Sequence, residues 1–141
     1  MILTGNFRHT VDSKNRIFLP AKLRKDGKTF IITNGLDNCL YVYPEKSWVG
    51  IVEKFDALPL KDKTEERAFK RAFFSGAQEV QVDNMGRIVL PSKMLKDIGA
   101  SKTVIIVGVW KRLEIWSEKN WTSYSKKAKS ALNRVSQKLE I

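Results

Sequence analysis

The chain has 141 residues, 43% of them hydrophobic, with 26 Lys or Arg against 15 Asp or Glu and a net charge of +11. That is the length of one ordinary domain, or of two very small units sharing a core, and the positive excess points to a polyanionic partner, nucleic acid before acidic membrane. One Cys excludes an intramolecular disulfide, no apolar run nears the roughly 18 residues of a membrane span, and the start "MILTGNFRHT" lacks a signal-peptide pattern, so a cytoplasmic protein is expected.

The first predicted element is an alternating strand, with Phe7, His9 and Val11 on one face and Arg8 and Thr10 on the other. The turn formers "DSKN" follow, then a second strand, "RIFLP", in which Ile17 and Leu19 alternate. Pro20 suits the first position of a short helix, and Gly27 closes it. Two more strands read as "TFIIT" and "CLYVY". A helix opened by Pro44 then carries an apolar stripe of Trp48, Ile51 or Val52, and Phe55.

A second helix is expected next, capped by Thr64, with Glu65 and Glu66 in its first turn, where carboxylates suit the helix dipole. Ala68, Phe69, Ala72 and Phe73 line one side of it, so this linker is packed rather than floppy.

The chain then repeats itself. Val11, Asp12, Arg16, Ile17, Leu19, Pro20 and Lys22 recur 71 residues later as Val82, Asp83, Arg87, Ile88, Leu90, Pro91 and Lys93. After a two-residue shift, Ile32, Gly35, Leu40, Glu45, Lys46 and Trp48 match Ile105, Gly108, Leu113, Glu118, Lys119 and Trp121. The second copy therefore predicts a strand with Val80 and Val82, the turn "DNMG", the strand "RIVLP", a short helix ending at Gly99, and strands "TVIIVGV" and "LEIW". A last helix, capped by Ser117, carries Trp121, Tyr124 and Ala128. Its continuation keeps Leu132, Val135 and Leu139 at helical spacing above a basic face, to lie on its own domain or on a neighbouring subunit. The expected divisions are residues 5–47 for the first repeat, 48–75 for a helical linker, 76–119 for the second repeat and 120–141 for the C-terminal helix. Repeated units of this kind complete a core that neither buries alone.

Enzyme chemistry has little to work with. The single His, His9, occupies a strand position held by Val80 in the other copy, and reads as a half-buried packing residue rather than a base. A Cys/His metal site lacks ligands, and no phosphate-cradling glycine loop appears. No catalytic residue, metal site or cofactor is expected.

The Asp-x-x-x-Arg turns are the better lead. An arginine offers a planar fork of donors that fits a phosphate or the O6/N7 edge of guanine. Asp12 and Asp83 would support the turn, by accepting from loop backbone or by steering the guanidinium. A turn-stabilising ion pair used twice is the plainer alternative.

Charge differs between the copies. Arg8 is matched by Glu79, Lys14 by Met85 and Arg24 by Leu95, while Arg16, Lys22 and Lys25 keep basic partners in Arg87, Lys93 and Lys96. Residues 1–28 hold seven Lys or Arg and two Asp; residues 76–116 hold six Lys or Arg and four Asp or Glu. On charge, the first copy should make most of the contact with a nucleic acid.

Two copies of a strand, "D-x-x-x-R", "I-x-L-P" and a short helix, in a basic chain of this length, resemble the MraZ family over essentially the whole chain. Each copy is similar to the swapped-hairpin barrel of AbrB- and MazE-type proteins. The resemblance implies a mainly β fold with helices (α+β), two such repeats forming a pseudo-dimer. It implies a regulator, most often a repressor, that binds double-stranded DNA at tandem short repeats upstream of its own operon, the division and cell-wall gene cluster. It also implies a nucleoid-associated homo-oligomeric ring of about eight subunits. On this sequence the family's DNA contacts fall on Arg16 and Arg87, with Arg8, Arg24 and Lys25 beside them. Lys14 and Lys22 join them on charge. The competing reading is an antitoxin-like module whose main partner is a protein, though such tails are usually acidic and disordered while this one is basic and helical.

Overall fold

The computed structural model describes residues 2–57 and 60–141. Met1 lies outside the described residues, as do Leu58 and Pro59 of the expected linker. The first copy supplies β1 (Asn6–Thr10), β2 (Arg16–Phe18), α1 (Ala21–Arg24), β3 (Thr29–Asn34), β4 (Leu40–Pro44) and α2 (Glu45–Asp56). After α3 (Lys63–Ser75), the second supplies β5 (Gln78–Gln81), β6 (Arg87–Val89), α4 (Ser92–Asp97), β7 (Thr103–Val109), β8 (Arg112–Ser117) and α5 (Glu118–Leu139).

The strands interleave. One six-stranded antiparallel sheet runs β1-β7-β8-β4-β3-β5, so each copy's first strand lies on the other copy's third: β1 on β7, and β5 on β3. Reversing the order and exchanging the copies returns the same sheet, which is a pseudo-two-fold passing between β4 and β8. On the same axis β2 and β6 pair as a separate ribbon, with Ile17 opposite Ile88.

Strand alternation explains the two sides of the sheet. Phe30, Ile32, Leu40, Val42, Val104, Ile106, Leu113 and Ile115 face one way, where Ile17, Leu19, Ile88 and Leu90 of the ribbon and Leu23, Met94, Leu95 and Ile98 of the short helices cover them. This is one core built from both copies. The intervening residues Tyr41, Tyr43, Ile105, Val107 and Trp116 face the other way, under Trp48 and Ile51 of α2 and Trp121 and Tyr124 of α5.

Several expectations change. Asp62, not Thr64, caps α3: its side chain accepts from the N–H groups of Thr64 and Glu65 at 2.9 and 3.2 Å. A carboxylate two residues ahead of those donors outcompetes a hydroxyl already inside the first turn. The apolar side of α3 is Phe69, Phe73 and Phe74 against Phe55 and Trp48, whereas Ala68 and Ala72 stay exposed. Pro20 and Pro91 sit one residue before their helices in extended conformation (φ −55° and −57°). Phe7 does not join Val11 in the core: it stands opposite the buried Ile106, but β1 is an edge strand and leaves it 46% exposed. Trp110 is exposed, with φ 57° at the β7–β8 turn. Leu132, Val135 and Leu139 of α5 are exposed.

Candidate nucleic-acid interface

Each Asp-x-x-x-Arg turn is built by one carboxylate. Asp12 Oδ1 accepts from the backbone N–H of Lys14 at 2.9 Å and of Arg16 at 2.8 Å, and Oδ2 accepts from Arg16 Nε at 2.7 Å. Asp83 repeats the set with Met85 at 2.9 Å, Arg87 N at 2.9 Å and Arg87 Nε at 2.8 Å. The sequence left open whether the aspartate serves the backbone or the guanidinium; it does both. The backbone N–H of the arginine, then its side chain, holds each carboxyl below its ordinary pKa, so both aspartates stay ionised.

The fourth residue of each turn is left-handed: Asn15 at φ 60° and Gly86 at φ 84°. These residue types tolerate that conformation best, which is why the turn reads "DSKN" in one copy and "DNMG" in the other. The two turns then clasp. Leu19 N donates to Gly86 O at 2.9 Å, and Leu90 N donates to Asn15 O at 2.7 Å.

With Ile17 and Ile88 buried, alternation turns Arg16, Phe18, Arg87 and Val89 onto the outer face of the ribbon. Each aspartate occupies only the Nε of its arginine. Among the described residues the Nη groups make no hydrogen bond, so each guanidinium keeps donors to offer, with the Arg16 and Arg87 side chains 25% and 19% exposed. A two-stranded β-ribbon fits the DNA major groove, and this fork matches guanine O6 and N7.

The exchange of strands redistributes the charges between the two turns. Arg24, from the first copy, lies over the second copy's turn, where a Cβ on Gly86 would meet its Nη1 and Cδ. Its counterpart Leu95 is buried in the core beside the first turn. That turn is instead flanked by α4, through Asn15 Nδ2 to Ser92 Oγ at 2.8 Å, and by the groove that carries Lys96 and Lys102. Each turn is thus framed by the helix of the other copy. Lys96 and Lys102 escape a reading that keeps each copy's charges together. The Leu19–Gly86 and Leu90–Asn15 clasp is a long-range pairing that no local pattern signals.

The remaining cations spread out. Lys14 is exposed at the tip of the first turn, and Lys22 and Lys25 are exposed at α1. Arg8 lies on the opposite side of β1 from His9 and reaches Glu118 at 3.5 Å, at the start of α5. His9 is half-buried: Nδ1 is 2.7 Å from Thr10 O, and Nε2 accepts from Phe18 N at 3.2 Å. Phe18 is 47% exposed on the ribbon face. The signal was present, since Ile17 and Leu19 pointing inward leave Phe18 pointing out.

Burial pushes the Cys39 thiol up to about 12, which keeps it protonated and unreactive. The buried Glu114 carboxylate is taken by Arg112 at 2.6 and 3.0 Å and Trp116 Nε1 at 3.1 Å. Among the described residues no group of three or more His, Cys, Asp or Glu is placed to hold a metal ion, and no helix is long and apolar enough to cross a membrane.

Known proteins match the whole chain. The family model for the MraZ protein, described as antitoxin-like, matches twice, at residues 2–72 and 73–139. A Caldicellulosiruptor bescii protein is 46% identical over 140 residues, 99% of this chain and 97% of its own length. Proteins of Natranaerobius thermophilus and Heliobacterium modesticaldum are 45% and 43% identical over 136 residues, 96% of this chain and 94% of theirs. All three relatives are named transcriptional regulator MraZ. With two family domains in tandem, a shared core and relatives at this identity over nearly full length, the chain belongs to the MraZ family, among transcriptional regulators rather than enzymes.

Proposed function

We propose that the protein is a sequence-specific DNA-binding regulator that represses its own operon, the division and cell-wall gene cluster, by occupying tandem short repeats in the promoter. The observation that carries this reading is the pair of matching Asp–Arg turns side by side on one ribbon, each aspartate holding only the Nε of its arginine. Arg16 and Arg87 read bases. Arg24, Lys14, Lys22 and Lys25 neutralise phosphates around them, while Arg8 stands further off, toward Glu118. Asp12 and Asp83 support the turns. Residues 5–47 and 76–119 are the two repeats, with 48–75 and 120–141 their helical extensions. The protein works in the cytoplasm at the nucleoid, needs no cofactor, and assembles as a homo-oligomeric ring of about eight subunits. In a ring, several ribbon faces meet tandem DNA sites, and weak contacts add through effective concentration. The exposed stripe of α5 is where a neighbouring subunit would pack.

Fluorescence anisotropy of a labelled duplex from upstream of the protein's own operon tests the reading. Binding should survive excess nonspecific duplex. Collapse under competitor would reduce the +11 charge to generic polyanion affinity. The antitoxin-like description of the family favours a second reading, a protein partner. Co-purification of an unrelated small protein, with no competitor-resistant duplex binding, would support that instead.

A further inference from the structure

The ribbon face is not symmetric. Phe18, 47% exposed, corresponds in the second copy to Val89, 50% exposed. In the register Phe18 stands directly opposite Arg87, and Arg16 directly opposite Val89. The Arg87 guanidinium carbon lies 6.0 Å from the centre of the Phe18 ring, the outer limit of a cation–π contact. The two arginines therefore share their aspartate geometry and differ in what stands beside them.

Phe18 is also held from behind. Its N–H turns away from β6 and donates to His9 Nε2 at 3.2 Å. The His9 ring sits 6.1 Å from Phe18 and 6.3 Å from Phe7, centre to centre. This column runs from β1 across to β2 and ends against Arg87. Nothing like it exists in the second copy, where Phe7, His9 and Phe18 are replaced by Gln78, Val80 and Val89. A large ring exposed singly needs no explanation. One whose backbone N–H is tied to His9 and whose ring stands against the Arg87 guanidinium does.

In the major groove an apolar side chain has one distinctive target, the 5-methyl group of thymine. Building on the DNA-binding reading above, we propose that Phe18 is a specificity-determining residue. Its ring braces Arg87 and contacts a thymine methyl beside the base pair that Arg87 reads, so the two halves of the ribbon read different sequences. His9 is a positioning residue: it acts only through Phe18.

The test is selection of binding sites from a randomised duplex library by the full-length protein, wild type against Phe18→Val, followed by titration of the selected duplex with thymine or deoxyuridine at each position. Valine already stands at the matching place in the other copy, so the variant keeps the ribbon. Wild type should select a motif with unequal halves and should lose about 4-fold in affinity when one thymine loses its methyl, the worth of one buried methyl group. Phe18→Val should erase both the preference for that thymine and the deoxyuridine effect, while guanine preferences persist. His9→Val should weaken the deoxyuridine effect at the same position and no other. Val89→Phe should add a second thymine preference, in the half read by Arg16, and this result stands even if Phe18→Val folds poorly. An unchanged motif and an unchanged deoxyuridine effect in Phe18→Val, or no new thymine in Val89→Phe, would overturn the proposal. A wild type that enriches no motif at all would overturn the DNA-reading function itself.

Discussion

The first and second turns make the same hydrogen bonds from the same aspartate to the same arginine, and they part company at their fourth residue. The first has Asn15, whose side chain ties to Ser92. Its facing helix presents Leu95 to the core. The second has Gly86, which leaves space for the Arg24 side chain of the facing helix. A duplication thus kept the ionic hardware fixed and varied the packing next to it. The pairs Asn15 with Leu95 and Gly86 with Arg24 are spatial partners, though each pair is split between the two copies. Net charge per copy therefore misleads: what matters is net charge per turn, and strand exchange redistributes it.

The comparison can be broken most strongly at the shared axis. Ile17 and Ile88 are fully buried opposite one another, so Ile17→Ala and Ile88→Ala should each cost about 2–5 kcal/mol in urea unfolding. Because both copies share one core, each variant should show a single transition. Two transitions would mean that the repeats fold apart.

Acid tests the turns themselves. Asp12 and Asp83 have carboxyl pKa values lowered by folding. Their contribution is therefore present above the ordinary carboxylate pKa, about 4, and is lost as pH falls through the lower folded value. Wild type should lose stability on acidification more steeply than Asp12→Asn or Asp83→Asn, by similar amounts for the two variants. Equal slopes in wild type and variants would contradict the hydrogen-bond scheme.

A smaller effect separates the turns. Gly86→Ala puts a Cβ at φ 84° and against Arg24, and should cost about 1–2 kcal/mol in thermal unfolding. It should also shift the salt dependence of duplex binding if Arg24 is displaced from a phosphate. Asn15→Gly keeps the left-handed conformation and loses one exposed hydrogen bond, so it should stay within about 1 kcal/mol of wild type in the same melt. If the two substitutions behave alike, the turns differ less than their neighbours suggest.

Much of this was legible before any coordinates. The duplication, the strand and helix types, the Pro-led short helices and the Asp–Arg turns all follow from local patterns: alternation, turn formers and spacing. Even the outward direction of Phe18 is implied by Ile17 and Leu19. What was not legible is long-range. Nothing local says that β1 will pair with β7 rather than with a strand of its own copy. Neither does it say that Leu19 will bond to Gly86, or that Arg24 will cross to the other turn. The capping misreading at Thr64 has a different cause: Asp62 and Thr64 both cap well, and only the geometry of the loop decides between them. Phe7 misled because alternation gives a face but not whether the strand lies at the edge of the sheet.

The measurement that bears most directly on one reading face made by two copies is a paired titration of Arg16→Ala and Arg87→Ala against the duplex from upstream of the protein's own operon, at fixed salt and with nonspecific competitor. Each should lose specific affinity by a comparable amount, about 10- to 100-fold, and the double variant should lose competitor-resistant binding altogether. Arg87→Ala binding as wild type does, while Arg16→Ala is lost, would mean that the ribbon presents one working turn and that its partner only shapes the fold.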